Sequence, residues 1–121
     1  MHGTNLVVIC GNLGADPELV TVGESKSKLA RLRVGVSERY TDHNGVQQER
    51  TEWVRVTAWR HWAALAEQFL RKGDAVFVAG RIRTRTYTDD KDVKRYMTEV
   101  EATDLQPVGR VPRAANQRRE P

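Results

Sequence analysis

The sequence predicts an all-β domain, a small five-stranded barrel with one helix. Several short segments alternate apolar and polar residues with the period of two that a half-buried β-strand requires. Only one segment, just beyond residue 59, changes to helical spacing. The predicted order is three strands, one helix and two strands, and a chain of 121 residues suits one domain with a single modest core.

The first predicted strand is the apolar run at residues 6–10, which ends in the glycine-rich bend GNLG. Cys10 lies within this run, so we expect a small buried side chain. It is the single cysteine of the chain, so no internal disulfide can form, and the three histidines lack the spacing of metal ligands. We therefore expect no zinc site and no cofactor.

The second predicted strand, residues 29–36, has apolar residues at its even positions and carries Arg31 and Arg33 on the other face. The polar stretch that follows, residues 40–49, begins with Tyr40 and contains Asn44-Gly45, a strong signal for a hairpin turn. We expect the second and third strands to form a hairpin with a long loop.

The third predicted strand, residues 51–59, presents two tryptophans on the side away from the core. Small apolar residues (Val54, Val56, Ala58) form its core face. The opposite face carries Trp53, Arg55, Thr57 and Trp59. Large apolar surface left in water usually marks an interaction site, so this face is the first candidate for binding.

After Trp59 the apolar residues follow helical spacing up to residue 70. Arg71 and Lys72 then give the predicted helix a basic C-terminal end, and Gly73 terminates it. We expect one helix of about three turns. Trp62 lies on its apolar stripe, so we expect this side chain to pack in the core.

The fourth predicted strand, residues 75–87, carries Arg81, Arg83, Arg85 and Tyr87 on one face, unless Gly80 introduces a bulge that shifts its first half. A polar loop then leads into the last strand, residues 95–103. The domain is expected to span residues 1–106, and residues 107–121 to form a disordered basic tail. This tail has four arginines against one glutamate, so it carries +3 of the net charge of +4.

Five strands with a helix between the third and fourth match the OB-fold, which binds oligonucleotides or oligosaccharides. Its predicted outer face combines arginines with aromatic residues. Single-stranded nucleic acid requires cations for its phosphates and flat rings for its bases, but protein interfaces also favour Trp, Tyr and Arg. The pattern alone leaves both kinds of partner open.

Catalysis has little support in the sequence. Asp89, Asp90 and Asp92 could suggest a nuclease that uses a metal ion, but Lys91 and Lys94 beside them indicate a solvated turn. There is no Cys/His pair and no phosphate-binding glycine loop. No segment has the length of apolar sequence that a membrane span needs. We expect a non-enzymatic, cytoplasmic protein with no membrane partner.

Five segments, GNLGADPEL, SERY, ERTEWVRVTAW, LRKG and GRIRTRTYTD, resemble the bacterial-type single-stranded DNA-binding proteins in order and near-family spacing, over residues 5–105. The resemblance implies an OB-fold that assembles as a homotetramer built from dimers, associates with the nucleoid and coats single-stranded DNA during replication, recombination and repair. It implies that bases stack on Tyr40, Trp53, Trp59 and Tyr87, and that Arg55 and Lys72 contact DNA. We expect Arg31, Arg33, Arg83 and Arg85 to follow the backbone.

The sequence departs from the family pattern in three places. Val54 stands where the family often has a histidine near a subunit contact, and Tyr40 and Tyr87 stand where it often has tryptophan. The chain ends in ANQRREP instead of the acidic tip that recruits replication and repair proteins, so such recruitment is doubtful and two interpretations stay open: a truncated chain, or a paralogue without the recruiting role. The alternative function is an OB-fold subunit of a primosome or recombination-mediator complex, whose tryptophan face binds protein.

Overall fold

The computed structural model describes residues 1–108, in which six strands and one helix are formed. They are β1 (Val7–Leu13), β2 (Glu18–Val22), β3 (Ser27–Thr41), β4 (Gln47–Trp59), α1 (His61–Phe69), β5 (Ala75–Thr88) and β6 (Lys94–Pro107). The tail expected over residues 107–121 lies outside the described residues, apart from Pro107, which ends β6, and Val108.

Five of the strands close a barrel. The sheet order is β1-β5-β6-β4-β3, and β1 also pairs with β3, which completes the ring. Neighbouring strands are antiparallel except β4 and β6, which are parallel. The predicted five-stranded barrel, with its helix after the third barrel strand, is therefore confirmed.

The short strand β2 is the element that the sequence did not predict. It lies outside the ring and pairs with the first part of β3, from Glu18 opposite Arg31 to Val22 opposite Ser27. Its five residues, ELVTV, follow an Asp-Pro turn signal, and this run has no clean alternation to distinguish it from a loop. β2 is ordered because it forms a hairpin with β3, closed by the turn at residues 23–26.

The outer arginines keep their face along β5 despite an irregularity in its pairing. The register shifts at Ala79 and Gly80, where Ala79 lies opposite Asp104 and Gly80 lies opposite Ala102. The extra residue is therefore Thr103 of β6, and β5 itself continues without an insertion. The bulge considered at Gly80 lies on the partner strand, so the odd positions of β5 keep to one face.

The core lies between the inner faces of the barrel strands and the helix. Ala63 and Ala66 of α1 are fully buried, and the helix packs against β3, β4 and β6. Trp62 is partly buried against this core, which confirms its predicted packing role. Within residues 1–108, no helix has the length and apolar character that crossing a membrane requires.

Strand β1 corrects one expectation from the sequence. Val7 and Ile9 pack against the core, whereas Val8 and Cys10 point outward, and Cys10 is exposed. The prediction of a buried Cys10 was wrong because an apolar run of five residues does not show which of its two alternating faces is covered. Leu6 and Val8 stay 67% and 56% exposed on the same outer side.

Two hairpins extend from the barrel as exposed ribbons. The first arm comprises residues 37–52 of β3 and β4, and the second arm comprises residues 81–98 of β5 and β6. The predicted Asn44-Gly45 turn closes the first arm, where Gly45 has a φ of 81° and its N–H donates to the carbonyl oxygen of Asp42 at 3.0 Å. The predicted hairpin is thus confirmed, but the prediction of a long loop was wrong: β3 extends to Thr41 and β4 begins at Gln47, so only residues 42–46 connect the strands.

Candidate nucleic-acid interface

The outer faces of β3, β4, β5 and β6 form a groove, which we define by two adjoining cavities of about 640 and 780 Å³. Both cavities are lined by Arg33, Arg55 and Glu99. The larger one also includes Trp53, and the smaller one includes Tyr87. Further lining residues that bear on function are Asp16, Glu18, Arg31, Arg85 and Met97.

Strand alternation and register bring these side chains together. Gly35 lies directly opposite Trp53, Arg33 opposite Arg55, and Arg31 opposite Thr57. Because side chains alternate between faces, these odd-numbered residues all lie on the outer side, while the even-numbered ones form the core. The sequence prediction that Arg31, Arg33, Trp53 and Arg55 share one face is confirmed.

The ring of Trp53 is 51% exposed and rests over two glycines. A Cβ added to Gly14 would lie 2.5 Å from ring atom Cζ3, and one added to Gly35 would lie 2.9 Å from it. The guanidinium of Arg33 lies 5.0 Å from the ring centroid, within the range of a cation–π contact. Trp53 is thus an exposed aromatic surface with a fixed position, not a loose side chain.

Acidic residues pair with three of the outer-face arginines. Arg31 pairs with Glu18 at 3.0 Å, and Arg85 pairs with Glu99 at 3.0 Å. The third pair joins Arg83 and Glu101 at 3.6 Å. Arg55 makes no ion pair with any residue of the described chain. The cations most available to an anionic ligand are therefore Arg33 and Arg55, beside Trp53.

The two tyrosines that the sequence singled out lie on different arms. Tyr87 is 48% exposed near the tip of the second arm and lines the smaller cavity. Tyr40 is 45% exposed on the first arm, and the guanidinium of Arg50 lies 5.3 Å from its ring centroid. Since the β3–β4 register runs unbroken from Leu29 to Thr41, alternation places Tyr40 on the opposite face of the ribbon from Trp53.

Trp59 and Lys72 lie away from the centre of the groove. Trp59 ends β4, six residues beyond Trp53, which is about 20 Å along a strand. It is only partly exposed, and the neighbouring Thr57 is 5% exposed, so this end of the face is more covered than the alternation suggested. Lys72 is exposed after α1, where its backbone N–H donates to Asp16 Oδ1 at 2.8 Å, next to the groove.

Glu99 is the groove residue that the sequence reasoning missed. It is 5% exposed on β6, and its side-chain oxygen Oε2 has no hydrogen-bond partner within the described chain. Its odd position in a strand paired with arginine-bearing β5 was the available signal. Tyr96, also missed, is 67% exposed on the other face of the second arm, with Lys94 Nζ 5.9 Å from its ring centroid.

Asp89 closes the second arm as a turn residue. Its Oδ1 accepts the backbone N–H groups of Lys91 and Val93, both at 2.9 Å, and its Oδ2 accepts Arg95 Nε at 2.9 Å. These contacts, led by Arg95, lower the pKa of the carboxyl below its usual value. Across residues 1–108 no group of three acidic, histidine or cysteine side chains could hold a metal ion.

Comparisons with known proteins agree with this geometry. Residues 4–108 match the Single-strand binding protein family. Single-stranded DNA-binding protein 1 of Chlorobaculum tepidum is 40% identical over 109 residues, which cover 89% of this chain and 67% of that protein. The structure described as Plasmodium falciparum SSB complex with ssDNA superposes with a TM-score of 0.82 at 23% identity, covering 90% of this chain and 98% of that one, and supports the OB-fold. The chain belongs to the Single-strand binding protein family.

Proposed function

We propose that the protein binds single-stranded DNA without strong sequence preference and protects it during replication, recombination and repair. The observation that carries this proposal is Trp53, a half-exposed aromatic ring held over two glycines with Arg33 and Arg55 beside it. Membership of the Single-strand binding protein family supports it. The protein acts by binding, not by catalysis, and we place it in the cytoplasm with the nucleoid.

Stacking supplies the sequence tolerance. Every unpaired base has a flat face, and stacking on an aromatic ring is worth about 1–3 kcal/mol per base. Trp53 and Tyr87 provide such faces at the groove, while Tyr40 and Trp59 lie beyond it. A strand that uses all four must therefore leave the groove and follow the first arm and the far end of β4.

Arginines hold the phosphates. Arg33 and Arg55 lie opposite each other beside Trp53, and Arg31, Arg83 and Arg85 extend the basic surface over β3 and β5. A guanidinium can pair with a phosphate and also stack on a base. Lys72 adds a cation where the loop after α1 meets Asp16.

The test is the affinity of ring-deletion variants for oligo-dT. Trp53→Ala and Trp59→Ala should each weaken binding by about 1–3 kcal/mol, and both variants should still fold cooperatively in a thermal melt. The unfolding midpoint should change little for Trp53→Ala, whose ring is half-exposed, and more for Trp59→Ala, whose ring is partly covered. Trp53→Phe is the matched control, which keeps a stacking ring and most of the affinity. Unchanged affinity in both alanine variants would show that bases do not stack on these two rings. It would favour a protein-binding face, as in a primosome subunit.

Strand selectivity provides a second, independent comparison. Duplex DNA of the same length should bind far more weakly than oligo-dT at equal salt, because paired bases hide their faces from the rings. Equal affinity for the two forms would identify a generic basic surface instead.

We further propose a homotetramer built from dimers. The outer side of β1 exposes Leu6 and Val8, and the barrel leaves most of one edge of β1 without a partner strand in the described chain. Exposed apolar strand edges are templates for pairing with another copy. Light scattering should report four chains at micromolar concentration, and a monomer would contradict the proposal.

A further inference from the structure

Glu99 places a carboxylate in the middle of a groove whose expected ligand is anionic. We propose that Glu99 is a built-in competitor for DNA phosphate: it occupies Arg85 in the empty groove and thereby limits both the affinity for single strands and its dependence on salt. This inference rests on the proposed binding of single-stranded DNA.

The position of Glu99 is set by two strand pairings. Across from it on β5 is Arg83, and two residues further along that strand is Arg85, whose Nε is 3.0 Å from Glu99 Oε1. On the other side, β4 pairs in parallel through Val56 and Val100, which brings Arg55 next to Glu99 across the sheet. The carboxylate therefore lies among three arginines, on the wall that both cavities share.

Burial makes Glu99 different from the other acids that pair with outer-face arginines. Its side chain is 5% exposed, whereas those of Glu18 and Glu101 are 66% and 32% exposed. An exposed acid can swing into water when a phosphate displaces it, but a packed one keeps its charge in place. Any phosphate that approaches Arg85 must therefore meet the negative charge of Glu99 at close range.

The hydrogen bonding of Glu99 also argues against a purely structural role. A buried carboxylate is normally stabilised by several donors, yet Oε2 has none within the described chain, and Arg85 is the single ion-pair partner of Oε1 there. Arg85 itself remains 48% exposed, so it is accessible to a ligand. In this pair, Glu99 has fewer hydrogen-bond donors than a buried carboxylate normally has, and Arg85 is open to solvent. Both features are expected if a phosphate competes for the arginine.

The decisive variant is Glu99→Gln, which keeps the shape of the side chain and removes its charge. We expect about tenfold tighter binding of oligo-dT at about 0.1 M salt, because Arg85 becomes free to pair with phosphate. The slope of log affinity against log salt should steepen by about 0.7, the value for one additional neutralised phosphate on a single strand.

The matched control is Glu67→Gln. Glu67 pairs with Lys28 on the helix side of the barrel, outside the groove, and the substitution changes the net charge by the same amount. It should leave the slope unchanged. Glu101→Gln, at a more exposed acid that pairs with Arg83 outside the two cavities, should give a smaller gain than Glu99→Gln.

The outcomes separate this inference from the proposed function. If the unmodified protein does not bind oligo-dT at all, the proposed function fails. If it binds but Glu99→Gln binds with equal or lower affinity and an unchanged slope, the competition is rejected and Glu99 instead positions Arg85. If thermal unfolding shows that the glutamine variant does not fold, Glu99→Met, similar in length and uncharged, is measured against the same expectations.

Discussion

At the residue scale, the binding surface depends on what lies under Trp53. The sequence showed that Trp53 faces outward, because alternation with Val54 and Val56 is clean. It could not show that the ring rests on Gly14 and Gly35, since one of these glycines is distant along the chain. Absence of a side chain at both positions is what lets an exposed indole lie close to the backbone.

Gly35→Ala tests this support directly. The added Cβ would lie 2.9 and 3.0 Å from ring atoms of Trp53, so the indole must move. We expect affinity for oligo-dT to fall by about 1 kcal/mol, part of the stacking contribution, with little change in stability because the ring is half-exposed. Gly3→Ala is the control, since nothing lies within 4 Å of its added Cβ. Equal affinities of the two variants would show that the ring position is not critical.

Asp42 gives the fold a predictable response to acid. Its Oδ1 accepts the backbone N–H groups of Val46 and Asn44 at 2.9 Å, and Oδ2 accepts Gln48 Nε2 at 3.2 Å. The pKa of this carboxyl is lowered below 3.8, chiefly by the Val46 hydrogen bond. The charged form is therefore favoured in the folded state, and its stabilisation is present above pH 3.8 and lost as pH falls through the lowered pKa.

Asp42→Ala should consequently lower the unfolding midpoint at pH 7, and the difference from the unmodified protein should shrink below pH 3.8. Thermal melts of the variant and the unmodified protein at several pH values measure the midpoint difference and its change with pH. Asp90→Ala, at an exposed loop position with no side-chain hydrogen bond in the described chain, should leave the midpoint unchanged at every pH. A constant difference for Asp42→Ala down to pH 2 would contradict the pKa assignment.

At the element scale, the alternation of apolar residues predicted the barrel strands and the helix, and pairing with neighbouring strands decided the rest. The alternation at residues 29–36 and 51–59 correctly identified the central hairpin, because one face of each strand is buried. β2 was missed because its order comes from pairing with β3, and Cys10 was misplaced because β1 has apolar residues on both faces. A one-dimensional pattern cannot show which edge or face another strand will cover.

Barrel closure rests on the close approach of β1 and β3. A Cβ on Gly11 would collide with the backbone carbonyl of Gly35, which cannot move as a flexible side chain would. Gly11→Ala should therefore destabilise the fold by about 1–3 kcal/mol, the usual effect of overpacking. Urea unfolding of this variant is compared with that of Gly3→Ala. Equal midpoints would show that β1 and β3 can move apart without any loss of stability.

At the scale of the whole molecule, charge distribution matters more than net charge. Residues 107–121 carry most of the formal charge of +4, and the domain is nearly neutral. The sequence predicted several arginines on the outer faces, and the structure adds that three of them have acidic partners. These acids could not be assigned from the sequence because the pairs join different strands.

Arg55 should make a measurable contribution to salt dependence, because it has no ion-pair partner in the described chain. Arg55→Gln should weaken oligo-dT binding and reduce the salt slope by about 0.7, the contribution of one phosphate. Lys28→Gln, which removes a cation paired with Glu67 outside the groove, is the charge-matched control and should keep the slope. Identical slopes in both variants would place the phosphates elsewhere.

The central claim is that bases stack on Trp53, and the fluorescence of this one tryptophan tests it most directly. The chain has three tryptophans, so Trp59→Phe combined with Trp62→Phe leaves Trp53 as the sole indole. Titration with oligo-dT should quench this emission saturably, and added salt should reverse the quenching. Binding detected by anisotropy of a labelled oligonucleotide, with the Trp53 emission unchanged, would contradict the account.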